Sequence, residues 1–178
     1  GGNYTGGLVG RAVRSTKITN SYATGSVIGT GSDTGGLVGV AESSSTVTNS
    51  YATGSVSGTG DFVGGLVGRA LSSSTITNSY ANGEVTGGPR TGGLVGYVGS
   101  STKITNSYAT GSVIGEGDHT GGLVGMAYKS TVTNSYWDKD TTDQTKSAGG
   151  SGKSTEEMKT KGTYSGWDFV NVWQINEG

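Results

Sequence analysis

The chain has no cysteine, one proline (Pro89) and one histidine (His119) in 178 residues. Without Cys there is no disulfide framework, no zinc–thiolate site and no cysteine nucleophile. A metalloprotease helix needs two histidines around a general-base Glu. A Ser/His/Asp triad would have to use His119, which sits in a Gly-Asp-His-Thr loop, and no Gly-x-Ser-x-Gly elbow accompanies it. A lone loop histidine of this kind is ordinarily solvated. No apolar run approaches the ~20 residues of a membrane-spanning helix. Net charge is −1, so no field gathers nucleic acid or an anionic bilayer. Nucleic acid and membrane insertion are therefore excluded as partners. Apolar residues reach only 30%, too few for a thick globular core.

Glycine is abundant instead, at 36 positions, and it is periodic. The pentapeptide Gly-Gly-Leu-Val-Gly starts at Gly6, Gly35, Gly64, Gly92 and Gly121, at steps of 29, 29, 28 and 29. A near-constant step carrying the same apolar residues is the mark of a solenoid, whose units must stack to bury their apolar faces. Collagen's three-residue spacing is absent. Each unit holds three segments: Gly-Gly-Leu-Val-Gly; a β-branched residue followed by Thr-Asn-Ser-Tyr (Ile18–Tyr22, Val47–Tyr51, Ile76–Tyr80, Ile104–Tyr108, Val132–Tyr136); and Gly-x-Val-x-Gly, centred on Val27, Val56, Val85 and Val113. The expected fold is an all-β β-helix, or β-solenoid, of about five three-strand coils of ~29 residues.

Strand alternation puts Leu8, Ala12, Ile18, Tyr22 and Val27 inward, with their counterparts stacked in columns. The Val of each pentapeptide (Val9, Val38, Val67, Val95, Val124) breaks the alternation. Either a bulge turns it in, or it forms an apolar exterior stripe. Asn20, Asn49, Asn78, Asn106 and Asn134 suit a corner, where Asn tolerates the left-handed conformation and stacked amides bond along the axis.

The pattern stops at Tyr136. Repeats are expected over residues 1–136 and a C-terminal capping segment over 137–178. That segment holds all three tryptophans and about half of the charged residues. Ser154-Thr155-Glu156-Glu157 reads as a capping box opening a short helix. Trp167 to Trp173 alternates like a strand. The other end, Gly1-Gly2-Asn3-Tyr4, has no Met and enters in mid-unit. It reads as a piece of a longer product, with further coils or another molecule covering that edge.

These residues resemble the GLUG-motif repeats of bacterial surface and secreted adhesin-like proteins. The resemblance rests on the five copies of Gly-Gly-Leu-Val-Gly and of Thr-Asn-Ser-Tyr. It extends to Ser135-Tyr136-Trp137-Asp138, Ser147-Ala148-Gly149-Gly150 and Gly166-Trp167-Asp168-Phe169 in the tail. It implies an extracellular, secreted or cell-surface stalk, spacer or adhesive surface, and carries no binding residue onto a position here.

No catalytic residue, cofactor or metal is expected. Asp33, Asp61 and Asp118 share one loop of the unit, and Asp138, Asp140 and Asp143 lie close in sequence, but Asp is first a turn residue. The candidate contact surface is a pair of outward hydroxyl rows: Thr19, Thr48, Thr77, Thr105 and Thr133, with Ser21, Ser50, Ser79, Ser107 and Ser135 beside them. The reading is a non-enzymatic adhesin or fibre module, a rigid stalk with a multivalent surface. Its partners would be a host or neighbouring cell surface, a glycan or protein ligand, or copies of itself joined end to end. The alternative is an ice- or polysaccharide-binding solenoid using the Thr/Ser ladders. Thr's preference for strands explains the same rows without a ligand.

Overall fold

A computed structural model describes residues 2–176; Gly1 and residues 177–178, the outer ends of the two expected segments, lie outside the described residues. The chain winds into five coils of parallel strands. Each of the first four coils carries five short strands and the fifth carries four, so the three sequence segments are subdivided. In the second coil these are Asp33–Gly35, Val38–Ala41, Thr46–Thr48, Tyr51–Ala52 and Val56–Gly58. Each repeat strand pairs with its own copies, which builds five sheets along the axis, and Ser151–Lys153 of the end segment adds a sixth strand to one of them by pairing with Tyr136–Asp138. Register is kept throughout: Val9, Val38, Val67, Val95 and Val124 align, as do Ile18, Val47, Ile76, Ile104 and Val132. The 28-residue step is absorbed in the turn at Gly88-Pro89, one residue shorter than Thr59-Gly60-Asp61, and Phe62 still meets Arg90.

The glycines of the pentapeptide are demanded by backbone crossing backbone. A Cβ at Gly64 would lie 2.0 Å from the Val67 carbonyl oxygen and 2.8 Å from the Gly96 nitrogen. One at Gly68 would lie 2.8 Å from the Thr34 nitrogen. The strand entering the pentapeptide and the strand leaving it therefore pack with no side chain between them. At this bend the Leu66 carbonyl accepts both the Leu37 and Val38 amides of the coil before it. That shared acceptor is a bulge-like corner, and it turns both residues inward. Leu37, Leu66, Leu94 and Leu123 are fully buried, and so are the valines that follow them. The exterior apolar stripe is thereby ruled out.

The main core stacks these Leu and Val columns on Ala12, Ile18 and their counterparts. A second, thin core of Val56, Val63 and Val85 lies on the other side of the entering strands. Leu8 is the exception in its column, at 52% exposed. No described coil lies on its outer side.

Two corners use left-handed backbone. One is the turn at Arg14-Ser15, Ser43-Ser44, Ser72-Ser73 and Ser100-Ser101, where both residues have positive φ. Two such residues in succession define a type I′ turn, usually Asn-Gly. Here serines accept it because the next hydroxyl closes it: Ser45 and Ser74 donate to Glu42 and Leu71 carbonyls at 2.7 and 2.6 Å. The other is the Asn column, with φ between 46° and 51° at all five positions. This left-handed step resets the alternation that follows, so Ser turns in, Tyr turns out and Ala turns in.

That reset corrects the expectation that Tyr22 and its copies point inward. Tyr22 is 60% exposed, whereas Ala52, Ala81 and Ala109 take the core position. The core column read as Tyr belongs to the Ala beside it.

The end segment closes the stack. Trp137 takes the Ala position of its column and lies over Gly122, where a Cβ would meet its indole at 2.0 Å. Ser147 Oγ accepts the Leu123 and Val124 amides at 3.3 and 2.9 Å, standing in for the Leu carbonyl of a further coil. Gln144 Nε2 donates to the Val113 carbonyl. Helix α1 (Lys139–Thr142) and helix α2 (Thr155–Met158) follow. The capping box at Ser154 and Glu157 forms as expected. Trp167 to Trp173 does not form a strand. Asp168 accepts the amides of Val170 and Asn171, and its carbonyl accepts that of Trp173, which curls the segment into turns.

Candidate functional site

The two hydroxyl rows of the candidate surface part company. The Thr row, at the ends of Lys17–Thr19, Thr46–Thr48, Thr75–Thr77, Lys103–Thr105 and Thr131–Thr133, does face out: Thr19 and Thr133 are exposed, Thr48, Thr77 and Thr105 half-buried. The Thr105 and Thr133 hydroxyls lie 3.5 Å apart. Two residues earlier a second outward column runs Lys17, Thr46, Thr75, Lys103, Thr131, in register with the first.

The Ser row is not at the surface. Ser50, Ser79, Ser107 and Ser135 are buried and Ser21 is half-buried. Each hydroxyl of this row donates to the carbonyl of the Thr two residues before it, at 2.8–2.9 Å. The Ser50, Ser79, Ser107 and Ser135 hydroxyls also each accept the amide of the Ser one coil back, at 3.1–3.2 Å. The left-handed Asn puts them inside, where a polar side chain is tolerated because both its bonds are made. They pin the corner and offer nothing to a ligand.

Outside that corner run two further columns. Asn78 Nδ2 donates to Asn49 Oδ1 at 3.1 Å, and Asn106 Nδ2 to Asn78 Oδ1 at 3.4 Å, the axial ladder expected of stacked amides. Tyr22, Tyr51, Tyr80 and Tyr108 stack face to face with centroids 4.9–5.2 Å apart and planes within 8°. Asn78→Ala should cost about 1–2 kcal/mol, since Ala pays the left-handed penalty and both amide bonds vanish. Thermal denaturation measures it, and Asn78→Gly, which sheds the backbone penalty, should recover part of the loss.

The tail crosses the far end of the Tyr ladder. Trp173 packs on Tyr80 and Tyr108, and Trp167 on Tyr108 and Tyr136. Trp167 Nε1 donates to the Asn134 carbonyl at 2.8 Å. Behind these rings lies a cavity of about 320 Å³, walled by Tyr108, Tyr164, Trp167, Phe169 and Trp173. Burial pushes the Tyr164 phenol up to about 12 and Tyr108 higher still, so both are neutral hydroxyls. Tyr22 remains exposed at the near end, and Tyr51 is half-buried beside Asn171, Val172 and Trp173 of the tail.

The remaining charged groups are dispersed. Asp33 is fully buried and pairs with Arg69 at 2.7 Å; burial raises its carboxyl, and Arg69 opposes that. Asp33 aligns with Phe62, not with Asp61, so the acids expected in one loop stand one residue out of step. Asp61 faces Arg90 at 3.9 Å instead. The guanidinium groups of Arg69 and Arg90 lie over Phe62, a packed seam that single-residue reading did not detect because its members differ in every coil. Asp138 accepts the amides of Asp140 and Thr141 as the cap of α1. Among the described residues no group of three or more His, Cys, Asp or Glu is placed to hold a metal ion. His119 is exposed and occupies the position of Arg90 one coil on.

The family model described as the GLUG motif matches residues 1–28, 30–57, 63–86 and 87–114, more than half of the chain. The chain belongs to the GLUG motif family. Comparison with curated proteins and with solved structures returned no match. The segment 30–57 holds one strand of each of the five sheets, so a GLUG unit is one coil. The pentapeptide marks the tight bend of that coil. Of the residues that vary just after the bend, Arg11 is exposed and Arg69, Tyr97 and Met126 are half-buried, whereas Val40 is buried.

Proposed function

We propose that this GLUG chain is a non-enzymatic, extracellular module of a surface adhesin or fibre. It acts as a rigid stalk and presents outward columns that repeat one weak contact coil after coil. The observation that carries this reading is the unbroken register. Side chains from successive coils stand one strand spacing apart, ~4.8 Å, on a frame of parallel ladders. Such a frame holds many identical groups at fixed spacing, and multivalent engagement can exceed the single contact by roughly 10²–10⁴-fold. The partners are a cell surface, its glycans or proteins, or further copies of the chain stacked end to end.

Beads coated with the chain test it. Their retention on host-cell or glycan-coated surfaces should rise steeply with coating density, while the soluble chain binds weakly. Retention merely proportional to density would defeat the multivalent reading. Sedimentation over a range of concentrations reads end-to-end association separately.

A second reading is supported by the paired outward Thr columns at Thr46/Thr48, Thr75/Thr77 and Thr131/Thr133: a flat lattice matched to ice or a crystalline polysaccharide. Lys17 and Lys103 interrupt one column and weigh against it. If that lattice is the site, Thr48→Lys with Thr77→Lys should abolish retention on crystalline polysaccharide, or ice shaping, at an unchanged circular dichroism spectrum. Unaltered retention in that double variant would remove it.

A further inference from the structure

The cavity in the cap stands apart from the outward columns, and its walls are of two kinds. One is aromatic: Tyr108, Tyr164, Trp167, Phe169 and Trp173. The other is polar: Thr110, Gln174, Asn176, Lys159 and the Asp138–Thr155 pair. At about 320 Å³ it lies at the small end of ligand sites, which span roughly 300–1,000 Å³.

The polar groups divide by what they already bond. Asp138 is spent: one carboxylate oxygen accepts the Asp140 and Thr141 amides, and the other accepts the Thr155 hydroxyl at 2.7 Å. Lys159 is held by Glu156 at 3.2 Å. Tyr164 donates to the Met158 carbonyl at 2.5 Å. By contrast, the half-buried Tyr108 and Thr110 hydroxyls and the exposed Gln174 and Asn176 side-chain amides at the rim make no hydrogen bond among the described residues. Trp173 Nε1 is buried with no partner. The buried indole N–H lacks the partner such a group normally has, and the hydroxyls and rim amides set further donors and acceptors beside the aromatic rings, so a ligand with both an apolar face and hydroxyls matches both kinds of wall.

The charge pattern narrows the class. A cation held by an aromatic cage would want a free carboxylate, and the one acid here is fully engaged while Lys159 repels. An anion would find a single Lys already paired. A purely apolar ligand would cover Trp173 Nε1 and the half-buried Tyr108 and Thr110 hydroxyls without bonding them. A neutral ring with an apolar face and a rim of hydroxyls fits both walls.

We infer that the cap cavity binds the terminal pyranose of a neutral glycan, stacked on the Trp and Tyr rings and hydrogen-bonded by Tyr108, Thr110, Gln174 and Asn176. The site does not depend on the multivalent reading of the coils. It would place one specific saccharide contact at the end of the rod.

All three tryptophans belong to the cap, and two of them wall the cavity, so intrinsic Trp emission reports its occupancy. The probes are the methyl pyranosides of glucose, galactose, mannose and N-acetylglucosamine, with glycerol and tetramethylammonium as controls. At least one pyranoside should give a saturable change, with Kd on the order of 1 mM, where glycerol gives none. Tyr108→Phe keeps the ring stack and deletes only the hydroxyl; Gln174→Ala deletes only the amide. Each should weaken that binding about tenfold while the melting temperature stays within the error of the measurement. The proposal is overturned if none of the four saturates below about 50 mM, if both variants bind as the parent does, or if tetramethylammonium alone saturates. Any of these leaves the bead-retention result untouched.

Discussion

Gly64→Ala is expected to destabilise the chain by about 3 kcal/mol, roughly 10 °C in melting temperature for a chain of this size. The added methyl has nowhere to go. It would lie 2.0 Å from one backbone oxygen and 2.8 Å from a backbone nitrogen of the next coil. Neither atom can retreat without breaking ladder bonds in two sheets, unlike the end of a flexible side chain. The contrast is Gly25→Ala, where nothing lies within 4 Å of the new Cβ. That change should be neutral or stabilise by about 0.4–1 kcal/mol through the unfolded chain. Differential scanning calorimetry of the pair separates close approach from generic loss of glycine. Equal effects would mean that the bend is looser than the strands imply.

Leu66→Ala should cost about 2–5 kcal/mol, the range for truncating a fully buried Leu in a packed core. Leu8→Ala should cost under about 1 kcal/mol, because Leu8 is already half in water. The two residues hold the same place in the repeat, so only stacking distinguishes them. Denaturant titration with unchanged slope would assign the whole difference to stability. Equal costs would show that the Leu column is not a continuous core. The effect should also propagate, since each coil contacts chiefly its neighbours and a weakened interface splits the stack.

The particular residues show why some features could be read in advance. Ile76 pairs with Val47 and Ile104 because each coil meets its own copy, so a periodic sequence states its own contacts. The Asn ladder was legible for the same reason: five asparagines at one place in a repeat stack on one another. The capping box at Ser154 is local over four residues and needs no tertiary knowledge. The Ser and Tyr rows misled because alternation assumes an unbroken strand, and the left-handed Asn resets the count midway. Tyr is apolar enough to pass for core, while the small Ala beside it gives no signal. The turn at Ser43-Ser44 was silent too, since serine is an unusual choice for two positive φ values in succession.

The sequence by itself determined the solenoid, the coil length and the family, because repetition turns long-range pairing into a local pattern. Tertiary structure alone decided which hydroxyls reach water, how the Trp167–Trp173 segment curls and where the cap cavity opens. Those depend on single residues, such as Trp173 against Tyr80, that meet across the chain with no second copy to announce the contact.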